Sequence, residues 1–184
     1  MTPSLFAGQR VRFMPPDPDK DAEIESAWTH DAEYLRLIDT APARPLSPAQ
    51  VKKKYETLEK AENKEFYFAV RTLADDRLIG FARLYWVDLQ HGAAMLNLGL
   101  GQPADRGQGY GSDALRLLLN YAFDELNLHR AGVRTASYNT GALRFLERHG
   151  FVEEVRNRQS VFRDGTWWDG VGLGLLREER KNGV

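Results

Sequence analysis

The chain has 184 residues, a net charge of −1, 42% hydrophobic residues and no cysteine. This length and composition predict one globular domain, spanning 1–184, with a sizeable hydrophobic core. The balanced charge gives no overall bias towards nucleic acid or an anionic membrane, and the missing cysteines exclude disulfides, thiolate catalysis and cysteine-ligated metal. With no signal peptide and no membrane-length apolar run in the sequence, a cytoplasmic protein without nucleic-acid or membrane partners is predicted.

The first half of the chain is predicted to contain helices enclosed between strands. The predicted elements are a strand at 10–14, helices at 19–28 and 30–38, a helix from Pro48 to about Glu62, and strands at 66–72, 78–86 and 94–101. The third helix is predicted to begin with Ser47 as N-cap and with Pro48 at its first helical position.

The second half is predicted to alternate helices and strands and to end in a hairpin. The predicted elements are a helix at 112–126, a strand at 131–137, a helix at 140–149 and a hairpin in which Asp164-Gly165 joins Val161-Phe162 to Trp167-Trp168. Strands with helices both before and after a central meander predict an α/β (α+β) fold. Its mixed, largely antiparallel central sheet would be flanked by helices on both faces.

A glycine-rich loop joins the apolar strand that ends near Leu100 to the long helix. Its sequence is Arg106-Gly107-Gln108-Gly109-Tyr110-Gly111-Ser112. Alternate glycines let the backbone approach a ligand closely and adopt positive φ angles. The first amides of the following helix have no intrahelical acceptor and point out of its positive end. Such a turn binds phosphate or pyrophosphate, so a phosphorylated cofactor is predicted here.

Three kinds of phosphate loop can be compared with this segment. A P-loop needs Lys-Ser or Lys-Thr after its last glycine, and the chain has none at that place. A dinucleotide fold needs G-x-G-x-x-G and an acidic residue about 20 positions on, but Ser112 stands at the third glycine position. The spacing Arg106-x-x-Gly109-x-Gly111 resembles the coenzyme A pyrophosphate loop of the GNAT superfamily of N-acetyltransferases. A purely structural glycine turn stays an open alternative.

A second segment strengthens the resemblance. Asn139 stands at a strand end, the small residue Ala142 follows three positions later, and the helix closes with Gly150-Phe151. Within the superfamily, residues 162–169 resemble the C-terminal hairpin of the branch that contains ribosomal-protein and spermidine N-acetyltransferases.

The resemblance implies a GNAT-like fold and an enzyme that transfers the acetyl group of acetyl-CoA to a primary amine. The acceptor would be a protein N-terminus, a polyamine or a small amine, and no metal would take part. A catalytically silent acyl-CoA-binding module is the alternative function, and a homodimer stays open.

The resemblance also implies roles for single residues. Leu98 and Leu100 would bind the pantetheine amides through backbone groups, and residues 106–112 would hold the pyrophosphate. Asn139 would orient the pantetheine arm as well as cap its helix. Arg144 and Arg148 would approach the phosphates. The alternative is that both form ion pairs on the surface.

The catalytic residues are harder to predict. Many GNAT enzymes carry a proton-donating tyrosine seven residues after the asparagine, but here that position is Leu146. Asn97 interrupts an apolar strand, so it is predicted either to hold a catalytic water or to bond neighbouring backbone. Ser137 is predicted either to contact the thioester region or to act as a strand-end cap.

Other candidate residues have structural alternatives. The aromatic residues Trp28, Tyr34, Tyr85 and Trp86 are candidates for a substrate cleft or for the core. The histidines do not stand at metal-ligand spacing, so no zinc site is expected.

Overall fold

The computed structural model describes residues 4–61 and 64–180. The helices are α1 (Asp21–Trp28), α2 (Ala32–Ile38), α3 (Pro48–Glu59), α4 (Tyr110–Asn120) and α5 (Thr140–Arg148). The strands are β1 (Val11–Met14), β2 (Phe66–Thr72), β3 (Leu78–Asp88), β4 (Ala93–Leu100), β5 (Arg130–Ala136), β6 (Val152–Arg163) and β7 (Thr166–Leu176). The elements follow the predicted order. The third helix ends at Glu59, earlier than predicted, and the predicted end, Glu62, lies outside the described residues.

All seven strands form one sheet in the order β1-β2-β3-β4-β5-β7-β6. Neighbouring strands are antiparallel except β4 and β5, which are parallel. Parallel neighbours need a crossover connection, and α4 supplies it between these two strands. The predicted mixed, largely antiparallel sheet is therefore confirmed.

The sheet opens in its middle, between β4 and β5. These strands pair only where Ala93–Met95 faces Arg130–Gly132. No further pairing joins them along the described parts of β4 and β5, so the remaining residues up to Leu100 and Ala136 diverge. The opening leaves backbone groups of both strands free to bind a ligand.

Helices cover both faces of the sheet, as predicted. On one face, alternate strand residues such as Leu84 and Leu96 pack with Leu115 and Leu118 of α4 in the main core. On the other face, α1, α2 and α3 form two smaller clusters, built around Trp28 with Tyr34 and around Val51 with Tyr55.

Most elements differ from their predicted bounds by one to three residues, and two differ further in their form or length. The helix after the glycine-rich loop begins at Tyr110 and its last turn, Tyr121–Glu125, is a π-helix. The hairpin strands are 12 and 11 residues long, far longer than the predicted tip. β6 lies at the sheet edge, and its residues 152–160 are all exposed. Because both of its faces carry charged residues there, apolar and polar residues do not alternate, and the sequence pattern could not predict this strand.

Candidate functional site

A cleft of about 730 Å³ opens where β4 and β5 diverge. Its walls come from α2, the end of β4, the glycine-rich loop, the segment after β5 and α5. The lining residues are Tyr34, Leu37, Ile38, Leu98, Gly99, Leu100, Arg106, Gly107, Gly109, Gly111, Ser112, Tyr138, Asn139, Thr140, Gly141, Ala142, Phe145 and Arg148.

The glycine-rich loop presents the start of α4 to this cleft. Gly107 and Gly109 have φ angles of +73° and +83°, the left-handed conformation that favours glycine. Side chains cap α2, α3 and α5, namely Asp31, Ser47 and Asn139. No side chain in the described part of the protein caps α4. Its first amides are therefore free to bind an anion that enters the cleft.

Two buried carboxylates anchor the loop at its ends. Before the loop, Asp105 accepts two hydrogen bonds from the guanidinium of Arg77, at 3.0 and 2.8 Å. After the loop, Asp113 accepts the backbone N–H groups of Arg10 and Val11, at 2.7 and 3.0 Å. This two-point attachment fixes the loop to the β1 and β3 side of the sheet.

Arginines surround the cleft. Arg106 and Arg148 line it, and Arg144 lies with Arg148 along an adjoining shallow pocket. None of the three forms an ion pair with another described residue. Gln108 is exposed and Tyr110 packs against the core, so these two loop residues do not line the cleft.

Three side chains hold the last turn of α2 against the opening of the sheet. Tyr138 Oη donates to the Arg36 carbonyl at 2.7 Å. Asn139 Nδ2 donates to the Leu37 carbonyl at 3.0 Å, and Asn97 Nδ2 donates to the Ile38 carbonyl at 3.1 Å. The last four carbonyls of a helix have no intrahelical partner, so these bonds satisfy three of them. We call this arrangement the α2 tether.

Asn139 lines the cleft, whereas Ser137 lies in the pairing of β5 with β7. Asn139 Oδ1 accepts the Ala142 N–H at 3.2 Å, which confirms the predicted helix cap, and the residue also lines the cleft. Ser137 extends the pairing of β5 with β7, because its N–H donates to the Asp169 carbonyl and its Oγ accepts the Asp169 N–H. Ser137 does not line the cleft, and its catalytic role stays a prediction, like that of Asn97.

Leu146 lies in the main core and only 5% of its surface is exposed. The α5 residues that line the cleft are Thr140, Gly141, Ala142, Phe145 and Arg148 instead. Position 146 therefore contributes packing, and no hydroxyl reaches the cleft from this turn of the helix.

Sequence patterns indicated one of the cleft residues that α2 contributes, Tyr34, but gave no indication of Leu37 and Ile38. Leu37 and Ile38 reach the cleft only because tertiary packing brings α2 there. Of the aromatic candidates, Tyr34 lines the cleft while Trp28 is core, stacked edge-on against Tyr34. Burial, and then the charge of Glu25, raise the pKa of Tyr34 well above its usual value, so its hydroxyl stays protonated.

Tyr85 and Trp86 lie beside the opening on the α2 side of the sheet. Their rings meet edge-on with centroids 5.3 Å apart. Burial raises the pKa of Tyr85, and the nearby guanidinium groups of Arg83 and Arg134 oppose that rise. The second pair of aromatic candidates thus adjoins the opening without lining the cleft.

Neither a metal site nor a membrane span is found in the described ranges. No group of three or more His, Cys, Asp or Glu residues there could hold a metal ion. No helix there is long and apolar enough to cross a bilayer.

Known proteins are similar to this chain in sequence. Residues 10–152 match the sequence profile of the acetyltransferase (GNAT) domain. The probable N-acetyltransferase YjcK of Bacillus subtilis is 36% identical over 127 residues, which are 67% of each chain. The uncharacterized, SPbeta prophage-derived N-acetyltransferase YokL of the same bacterium is 28% identical over 179 residues, 97% of each chain.

The fold is also similar to that of solved structures. The spermidine N-acetyltransferase of Vibrio cholerae, solved in complex with CoA and spermine, superposes with a TM-score of 0.82 at 22% identity. The superposition covers 92% of this chain and 96% of that one.

Proposed function

The chain belongs to the GNAT acetyltransferase family, as its sequence predicted, and we propose that this N-acetyltransferase moves the acetyl group of acetyl-CoA to a small primary amine. The observation that carries the proposal is the uncapped start of α4, which faces a cleft of about 730 Å³ across the glycine-rich loop. A pyrophosphate matches this arrangement, because free amides and the helix dipole both favour an anion there.

We assign the residues around the cleft to the phosphates and the pantetheine arm of coenzyme A. The backbone of Arg106–Ser112 would hold the pyrophosphate, with the Arg106 guanidinium beside it. Arg144 and Arg148 would meet further phosphate oxygens, since both lack a carboxylate partner among the described residues. The backbone of Leu98 and Leu100, which lies beyond the pairing of β4 with β5, and the Asn139 side chain would meet the pantetheine arm.

The thioester of the bound cofactor supplies the activated acetyl group. Backbone N–H groups of the diverging β4 would polarise its carbonyl, which is the electrostatic contribution that such donors make. The acceptor amine must lose a proton, because an amine with a pKa near 10 is mostly protonated at neutral pH. Asn97 Oδ1 is the proposed anchor for a water that takes this proton, while its amide group donates to Ile38. Ser137 is the second candidate.

The acceptor is proposed to be small because of what the similar proteins act on. The Vibrio cholerae enzyme of similar fold is a spermidine N-acetyltransferase whose crystal holds CoA together with spermine. In this chain, α2 and the β6–β7 hairpin close over the opening: Arg36 pairs with Asp164 at 3.0 Å, and Arg163 donates to the Thr40 and Ala41 carbonyls. A small amine fits such an enclosed approach better than a folded protein surface.

Substitution of one loop glycine tests the proposal. Gly109→Val strains the loop, because valine disfavours the φ of +83° and its Cβ would lie 3.2 Å from Nε of Arg10. The loop amides would then no longer converge on the pyrophosphate, and we expect CoA affinity to fall more than tenfold in calorimetry, above about 1.4 kcal/mol. CoA release from acetyl-CoA with a panel of amines should fall in parallel.

Gly165→Val is the matched control, because Gly165 also has a positive φ, +74°, but lies in the β6–β7 turn away from the cleft. It carries the same backbone strain and should leave CoA affinity unchanged. Equal CoA affinity in the wild type and Gly109→Val would show that the loop is only a structural turn.

A further inference from the structure

The α2 side of the opening carries side chains that the proposed cofactor site does not use. Asn97 and Arg134 each stand two residues beyond the last paired residues of their strands, Met95 and Gly132. Side chains two apart along a strand share a face, so both side chains flank the opening on the same face of the sheet. The contact of Asn97 with α2 identifies that face.

A bulge in β3 presents an aromatic platform on this face. The register of β3 with β4 shifts between Tyr85 and Asp88, and Trp86 has a φ of +50°. Such a conformation is costly for a bulky side chain, and strained bulges commonly redirect a side chain next to a functional site. Here the bulge leaves Trp86 66% exposed beside the ring of Tyr85.

Arg134 lies over this platform. Its guanidinium carbon is 5.4 Å from the centroid of the Trp86 ring, a cation–π distance. The stack fixes a planar guanidinium in one place, while its N–H groups stay available to a ligand. Arg134 forms no ion pair with any residue within 4–61 or 64–180.

The other charges on this face do not favour a polycation. Glu65 is held by Arg83, which also stacks on Tyr85 at 4.7 Å. Asp39, at the end of α2, is exposed and accepts the Ala41 N–H at 2.8 Å. One free guanidinium and one accessible carboxylate therefore border the opening, a pattern that suits a ligand with both a negative and a positive group.

We propose that the acceptor is a small amine that also carries a carboxylate, as an amino acid does, and that Arg134, stacked on Trp86, binds this carboxylate. The inference rests on the proposed acetyl transfer and specifies its substrate class. A guanidinium binds a carboxylate through two parallel charge-assisted hydrogen bonds. That contact would direct the amine of the same molecule towards the opening, and it would disfavour an acceptor such as spermidine that has only positive groups.

The test compares amines that differ only in the carboxylate. CoA release is measured with L-phenylalanine, L-phenylalaninamide and phenethylamine, with L-lysine and cadaverine, and with spermidine. We expect the carboxylate-bearing amines to have at least tenfold higher kcat/KM. Arg134→Gln should weaken their apparent binding, with at least a tenfold rise in KM, and should leave the kinetics of phenethylamine unchanged. Arg158→Gln removes a different exposed arginine, which lies in β6, and should change none of these values.

Two results would overturn the inference while the acetyl transfer stands. One is turnover of spermidine or phenethylamine that equals or exceeds that of the amino acids. The other is an Arg134→Gln variant that loses activity equally towards all amines. If the protein binds CoA in calorimetry but neither binds nor acetylates any carboxylate-bearing amine, the inference fails as well. Absence of CoA binding would instead contradict the proposed function itself.

Discussion

At the scale of single residues, α5 and the glycine-rich loop carry some side chains that serve packing and others that are free for chemistry. Leu146 belongs to the first kind, since it is buried in the main core. Arg106 and Arg148 belong to the second, since both line the cleft without a carboxylate partner in the described ranges. The thiolate that leaves during acetyl transfer can depart as the anion at modest cost, because a thiol has a pKa near 8.5. A tyrosine at position 146 is therefore not essential.

Leu146→Ala is expected to damage stability far more than chemistry. Deletion of a buried leucine side chain typically costs roughly 2–5 kcal/mol of the free energy of unfolding, measurable by urea denaturation. Turnover per folded molecule should change less than tenfold.

Leu117→Ala on α4 is the control, because Leu117 is fully buried and does not line the cleft. The two variants should lose similar amounts of the free energy of unfolding, and turnover per folded molecule should change to a similarly small extent in both. A turnover loss confined to Leu146→Ala, and much larger than tenfold, would contradict the packing role.

At the scale of elements, the α2 tether links a helix of the N-terminal half to the segment that follows β5. Asn139 participates twice, since its Oδ1 caps α5 and its Nδ2 donates to the Leu37 carbonyl. Its side chain is buried, with 8% of the residue surface exposed. Loss of the second bond would therefore leave a partly buried carbonyl unsatisfied.

Asn139→Asp separates these two functions. Asp caps a helix about as well as Asn, so α5 should keep its start. The new carboxylate cannot donate to Leu37, and we expect a loss of about 1–3 kcal/mol in the free energy of unfolding, with faster amide exchange in α2 and a lower kcat/KM.

Asp31→Asn is the matched control at the other end of α2. The Asp31 side chain accepts one hydrogen bond, from the Glu33 N–H at 2.9 Å, and the side-chain oxygen of Asn can accept the same bond. This variant should keep both the stability and the amide exchange of the wild type. If Asn139→Asp matched it in every measurement, the tether would have no energetic role.

Prediction from sequence succeeded where the relevant information is local. The glycine-rich loop, the Ser47 and Asn139 caps and the buried strands are each specified by neighbouring residues. The extent of β6 was missed, because an edge strand with exposed charges on both faces has no apolar alternation. The α2 tether and the stack of Arg134 on Trp86 could not be predicted, because they join residues far apart in sequence through tertiary packing.

At the scale of the whole molecule, the second small core contains a buried acidic group surrounded by hydroxyls. Glu25 accepts the hydroxyls of Tyr55 and Tyr67, at 2.6 and 2.8 Å, and pairs with Lys54. Burial, followed by the negative charge of Glu25, raises the pKa of both tyrosines well above the usual value. The pKa of Tyr34 is raised for the same two reasons.

These tyrosines predict a sharp loss of stability in alkali. A tyrosine whose pKa is higher in the folded than in the unfolded state binds its proton more tightly when folded. Its contribution is therefore fully present below about pH 10 and decreases as the pH rises beyond the unfolded pKa. Each such tyrosine adds a slope of about 1.4 kcal/mol per pH unit there.

Urea unfolding between pH 8 and pH 11 measures this slope. The double variant Tyr55→Phe, Tyr67→Phe should be less stable at pH 8, since Glu25 loses two donors, yet its stability should decrease less steeply above pH 10. Val51→Ala, which weakens the same small core without removing a hydroxyl, should keep the wild-type slope. Parallel curves for the double variant and the wild type would contradict the raised pKa values.

The α2 tether also has a thermodynamic consequence for the order of ligand binding. Asn139 lines the cofactor cleft, while the helix that it holds closes over the side on which the acceptor would arrive. When one ligand orders α2, the other ligand binds with a changed affinity. The coupling free energy between them belongs to the pair of ligands, so it is the same whichever ligand is considered first. An acceptor that strengthens CoA binding by some factor is itself bound more tightly by that same factor once CoA is present, whichever ligand enters first.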